Sequence, residues 1–252
     1  MKATVCVLFL SVILILISYQ SKAQESQLVA YKLSKISPNV DKNLKVFGYD
    51  TTSDFIFIYH DIRLFKRIVP IDSIVNGIVT SSGFYNRYFV HHIDSIYGRL
   101  FDSMMRMVNQ RVHIDSGTAS KSLFNKEIEN DFKSLKIEPV KKNIPIDDFC
   151  FKEVYFIFDL DDSTKKSIWT LTYSNSMKKN PLSISTYMDS LRSSKLVEIR
   201  TDEPQRFLKK YNLTMDPFFF IYRMEPYEIL EKEIIMNLIK VYAKETGLNF
   251  DD

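Results

Sequence analysis

Cysteine usage constrains this chain more than any other feature. Only Cys6 and Cys150 occur in 252 residues, and Cys6 lies in a leading apolar run that reads as removable. A lone thiol cannot close an intramolecular disulfide. The fold therefore has to be held by an apolar core. Cys150, between Phe149 and Phe151, reads as a buried, inert thiol.

That leading run has the order of a secretory signal peptide: Lys2, an uncharged stretch from Ala3 to Ile17, then Ser21-Lys22-Ala23. Residues 1–23 are the expected signal peptide, with cleavage between Ala23 and Gln24. The competing reading is a retained anchor. The apolar run has 15 residues, fewer than the roughly 20 that span a bilayer as a helix. Cleavage leaves 229 residues, with 32 basic against 31 acidic side chains once Lys2 and Lys22 are gone. A formal charge of +1 exerts no long-range pull on nucleic acid or anionic membrane. No other stretch is apolar and long enough to be a helical span.

Glycine is scarce, at six residues, and none of the Gly-rich phosphate loops or the nucleophile elbow is present. Residues 24–138 read as β-rich. Strands are expected at 28–33, 44–50, 55–60, 62–69 and 87–93, with 50–54 as a turn between two of them. The spacing of Leu100, Phe101, Met104 and Val108 predicts a helix over 99–110, and Phe124, Ile128, Phe132 and Leu135 predict another over 120–136. The motif Ile-Asp-Ser recurs at Ile71, Ile93 and Ile114 and reads as repeated turn chemistry.

Residues 136–148 carry two prolines and several charges and read as a boundary. Residues 149–252 read as a second region, or as part of one domain with the first. A hairpin over 153–160 and 167–174 is followed by a helix over 183–193, a strand over 196–201 and a short helix over 203–211. A strand over 217–223 and a helix over 226–246 complete it. Leu230, Ile234, Leu238, Val241 and Tyr242 form the inward stripe of that helix. The expected class is α+β: a β-rich N-terminal half, then a mixed sheet with flanking helices and a long C-terminal amphipathic helix.

Four constellations could carry chemistry. Phe158-Asp159-Leu160-Asp161-Asp162-Ser163 follows the apolar run from Val154 to Ile157. It resembles the first motif of haloacid-dehalogenase-like phosphatases, a strand followed by D-x-D-x-[ST]. The resemblance covers about ten residues. It implies Asp159 as nucleophile, Asp161 as general acid/base and Mg²⁺ held by both. Of the family's later elements, Thr201 and Lys209 or Lys210 offer matches, but after Lys210 the only adjacent acidic pair is Asp251-Asp252. The same residues also make a good exposed turn of a simple hairpin, which is the favoured reading. His60, His91, His92 and His113, with Asp61, Asp94 and Asp115, could ligate a metal but lack rigid spacing; they read as polar strand positions. Met104, Met105 and Met107 read as core rather than as soft ligands. The 19 Phe and 14 Tyr read as core filling.

No cofactor and no metal site are implied. The sequence therefore points to an exported, soluble, non-enzymatic binding or interaction protein of the bacterial cell envelope or periplasm, with an unknown protein or envelope ligand as partner. The metal-dependent phosphohydrolase carried by Asp159 and Asp161 is the alternative.

Overall fold

The computed structural model describes residues 28–75, 78–114, 137–158, 166–180, 182–208 and 213–248. The signal segment with Ala23 and Gln24, the helix expected over 120–136, and Asp159 and Asp161 lie outside them.

The fold is a large antiparallel sheet, which corrects the α+β expectation. Its strands are β1 (Val29–Val40), β2 (Val46–Tyr59), β3 (Ile62–Val75), β4 (Ile78–His92), β5 (Tyr97–Phe101) and β6 (Met107–His113). They continue as β7 (Ile137–Pro145), β8 (Cys150–Phe158), β9 (Lys166–Ser174) and β10 (Lys195–Glu203). A separate small hairpin pairs β11 (Arg206–Leu208) with β12 (Leu213–Met215), and β13 (Phe218–Pro226) returns to the main sheet. The order across that sheet is β6-β5-β4-β3-β2-β1-β13-β10-β9-β8-β7. Among the described residues there are two helices, α1 (Thr186–Arg192) and α2 (Lys232–Thr246).

Apolar alternation builds two cores, one on each face. Phe55, Ile56, Phe57 and Ile58 are all buried, as a strand covered on both sides requires. Phe55 and Phe57 point to one face and pack with Leu64, Tyr88, Val90 and Phe101 under Ile235, Leu238, Ile239 and Tyr242 of α2. Ile56 and Ile58 point to the other, with Leu33, Tyr155, Leu171, Tyr173, Ile199 and Met224, alongside Leu182, Ile184 and Met188 of the α1 segment.

Three expected elements are overturned, and the stretch expected as a boundary holds a strand. Asp50 to Asp54 is no turn: β2 runs straight through it, with Thr51, Thr52 and Ser53 opposite Ile36, Lys35 and Ser34. Threonine suits a pleated, half-exposed surface, and the polar composition marks exposure there rather than chain reversal. The helix expected over 99–110 is the β5–β6 hairpin. Its helical spacing is coincidental, since Phe101 is buried while Met104 and Val108 face solvent. The boundary over 136–148 contains edge strand β7, where the missing N–H groups of Pro139 and Pro145 cost little. The helix expected over 203–211 is not formed in its described part: Glu203 ends β10 and Arg206–Leu208 is strand β11, while 209–211 lie outside the described residues.

The β8–β9 hairpin is as expected, with Cys150 opposite Ser174 and Phe158 opposite Lys166. Gly247 caps α2 at φ 71, but the helix starts at Lys232 rather than Pro226, which ends β13.

Both sheet edges are blunted against further pairing. β7 carries two prolines, two lysines and two register shifts, and β6 meets β5 with two register shifts.

Two hairpin turns share one construction. The carboxylate of Asp41 accepts from the backbone N–H of Asn43 and Lys45, and that of Asp102 from Met104 and Arg106. Each turn places a non-glycine in the left-handed region, Leu44 at φ 62 and Met105 at φ 60. A Cβ there costs backbone energy that glycine avoids. Replacing Leu44 by glycine is expected to raise stability by about 0.5–1 kcal/mol. Leu44→Ala keeps the Cβ and is expected to give no such gain; urea titration of both variants checks this.

Candidate binding surface

A buried charged cluster lies under α1. Glu153 of β8 and Tyr155 two residues on point to the same face. The Tyr155 hydroxyl donates to Glu153 Oε2 at 2.5 Å. Arg192, in the last turn of α1, donates through Nε to Glu153 Oε2 at 2.7 Å and through Nη2 to the Tyr155 hydroxyl at 2.7 Å. Glu153 is 1% exposed. Burial and the bond to Glu153 push Tyr155 up to about 12. Burial raises the neighbouring Tyr173 as well, helped by Tyr155 and by the carboxylate of Glu153 beside it. Burial alone would lower Arg192, but its bonds to Tyr155 and Glu153 raise it overall. Both phenols are therefore protonated at neutral pH. With its charges matched inside it, the cluster acts as a clamp holding α1 to the sheet.

The other end of the clamp is Asp189. Its carboxylate accepts from Ser183 Oγ at 2.6 Å and from the Leu196 N–H at 2.7 Å, and it pairs with Lys195 at 2.8 Å. Ser185 caps the helix by accepting from the Met188 N–H.

The four histidines do not converge. His60 sits in the β2–β3 turn, His113 ends β6, and His91 and His92 point to opposite faces of β4. Asp94 lies in the turn beyond β4, so its 3.8 Å contact with His92 is a turn contact rather than a strand-face pair. Among the described residues, no group of three or more His, Cys, Asp or Glu could hold a metal. Met104 is exposed, so it is not core as expected; Met107 packs at the core margin. Cys150 is half-buried rather than buried as expected.

His91 has its own consequence. It is 1% exposed. Its ring stacks on Phe65 and Phe89 at 5.7 and 5.6 Å. Nδ1 lies 2.7 Å from the His92 carbonyl, and Nε2 has no partner. Burial, opposed by that hydrogen bond and aided by the nearby Arg63, lowers its pKa to about 4. The unfolded imidazole takes up a proton near pH 6.5 while the folded one resists until about pH 4. Its contribution is thus complete above pH 6.5 and lost as pH falls to 4, up to about 3 kcal/mol in all. Melting curves across that window should fall for the wild type, and His91→Phe should flatten them.

The partly exposed rings mark a different place. β1 pairs with β13 only from Tyr31 to Ile36, while its pairing with β2 continues to Val40. Pro38 is tolerated where the β13 ladder has ended. Across this gap Tyr49 of β2 stacks on Phe219 of β13, with centroids 4.0 Å apart and planes 13° apart. Arg200 of β10 lies 4.5 Å over the Phe219 ring and is fixed by three contacts to the Asp202 carboxylate, at 3.0, 3.0 and 2.7 Å.

Cross-strand register extends this group into a band. Phe219, Asp202, Ile168, Phe156 and Glu138 stand directly opposite one another through β13, β10, β9, β8 and β7. Directly opposed residues share a face. Tyr49 lies in phase with Phe55 and Phe57, so the band is on the α2 side of the sheet. Rings and a pre-fixed guanidinium on paired strands form an amphipathic contact surface with little entropy left to lose on binding. Sequence reading assigned these aromatics to the core. The signal that marks them is the unbroken Phe218-Phe219-Phe220 run, which must place rings on both faces of a strand.

No protein-family model matches the chain, and no curated protein matches it.

Proposed function

We propose that this chain is an exported, non-enzymatic binding protein of the cell envelope or periplasm that engages its partner through the Tyr49–Phe219–Arg200 surface. The observation that carries the reading is the stacked ring pair with its clamped cation. Tyrosine and arginine are enriched among side chains that dominate binding energies. The charged leader and apolar run before Ala23 support the compartment.

The test uses washed envelope membranes as the probe. The wild type is expected to co-sediment with them, and the double variant Tyr49→Ser/Phe219→Ser to bind at least about tenfold more weakly while melting like the wild type. Asp159→Asn should bind as the wild type does. Release of p-nitrophenol from p-nitrophenyl phosphate that needs Mg²⁺ and disappears in Asp159→Asn would overturn the reading in favour of a phosphohydrolase.

A further inference from the structure

The C-terminal helix carries two apolar stripes. The inner one, Ile235, Leu238, Ile239, Tyr242 and Ala243, is buried. Three residues of the stripe expected to face inward are exposed instead: Leu230, in the turn before α2, at 75%, and Ile234 and Val241 of the helix at 37% each. The tip of the β5–β6 hairpin adjoins them. Met105 Sδ lies 3.9 Å from Asn237 Nδ2, and both Met104 and Met105 are exposed. This tip keeps a large apolar side chain at a left-handed position where glycine would relax the backbone. Unbranched methionines adapt well to an apposed surface.

Charge along the same face selects the occupant. Glu233, Lys240 and Lys244 are exposed. Lys240 and Lys244 follow Glu233 by seven and eleven residues, so all three lie within about 20° of one flank beside the outer stripe. A parallel copy of α2 would set glutamate against glutamate and lysine against lysine. An antiparallel copy about a two-fold axis midway between Ile234 and Val241 does the reverse. It sets Ile234 against the partner's Val241. It also places Glu233 about 3 Å along the axis from both the partner's Lys240 and the partner's Lys244. A two-fold axis brings the same flank of each helix together, so the contacts form twice.

We propose that the outer face of α2, with the Met104–Met105 tip beside it, is a homodimer interface occupied by an antiparallel second copy of this chain. The surface is self-complementary in both apolar contact and charge, and it closes on itself, so assembly stops at two.

Sedimentation equilibrium on the chain from Gln24 onward, which contains every described residue, tests this. A dimer is expected at about 10 µM. Glu233→Lys replaces attraction by repulsion on both flanks and should weaken dimerisation at least about tenfold. The triple swap Glu233→Lys/Lys240→Glu/Lys244→Glu restores complementarity and should recover it. Ile234→Asp/Val241→Asp, at exposed positions that leave the inner stripe intact, should give a folded monomer by circular dichroism. A wild-type monomer up to about 100 µM would overturn the proposal. So would unchanged dimerisation in the Ile234/Val241 variant, or a triple swap no tighter than Glu233→Lys.

Discussion

Arg192→Ala is expected to lower the unfolding free energy by about 3–5 kcal/mol, the cost of stranding one partner of a buried ion pair. Glu153 is 1% exposed, and without the guanidinium its donor among the described residues is the Tyr155 hydroxyl. Lysine at this position offers a point charge in place of a planar fork, so Arg192→Lys should recover only part of the loss. The double variant Glu153→Leu/Arg192→Leu removes both charges and should be less destabilised than Arg192→Ala alone. Urea unfolding of the three variants checks the set. A loss below about 1 kcal/mol for Arg192→Ala would mean that the pair behaves as an exposed surface bridge.

Gly98→Ala is expected to cost about 3 kcal/mol or more, the upper range for overpacking a core. A Cβ at Gly98 would come 2.5 Å from Cζ of Phe89 and into the Val90 carbonyl. Phe89 is 1% exposed and packed against Phe65 and His91, so the ring has nowhere to go. The conflict is steric rather than conformational, since φ at Gly98 is not in the left-handed region. Combining Gly98→Ala with Phe89→Leu should therefore cost less than the sum of the two single changes. Chemical unfolding of the full cycle gives that coupling. Additive losses would sink the explanation.

Strand periodicity was legible wherever one face is buried and the other is not, as in β8 and β9, whose hairpin pairs as expected. It failed where the rule behind it did not apply. Polar residues over 50–54 imitate a turn because β2 emerges from cover there. The apolar residues from Leu100 to Val108 imitate a helix because a tight turn interrupts two short strands at nearly helical spacing. The prolines of β7 imitate a linker because an edge strand needs half its N–H groups only. Helix α2 was legible in kind and at its C-terminus, but not in rotation. It has apolar residues on two sides, and sequence cannot say which stripe meets the sheet. Of the candidate site, the run ending in Phe220 was visible, but its function was not. The Tyr49–Phe219 stack joins strands 170 residues apart in the chain, and Arg200 becomes notable only once β10 lies beside β13.

Strand β13 has a consequence for how the chain is made. Every other neighbour in the main sheet belongs to one of two local meanders, β1 to β6 and β7 to β10. Only β13 touches both, pairing with β1 on one side and β10 on the other. Tyr31 meets Pro226 across 195 residues. At about 5–20 residues per second, synthesis leaves that edge of β1 open for roughly 10–40 s. The first meander thus waits, with one central strand half-paired, for a segment close to the C-terminus. Truncation anywhere before Phe218 would make that wait permanent, leaving β1 as an unguarded template for a neighbouring chain.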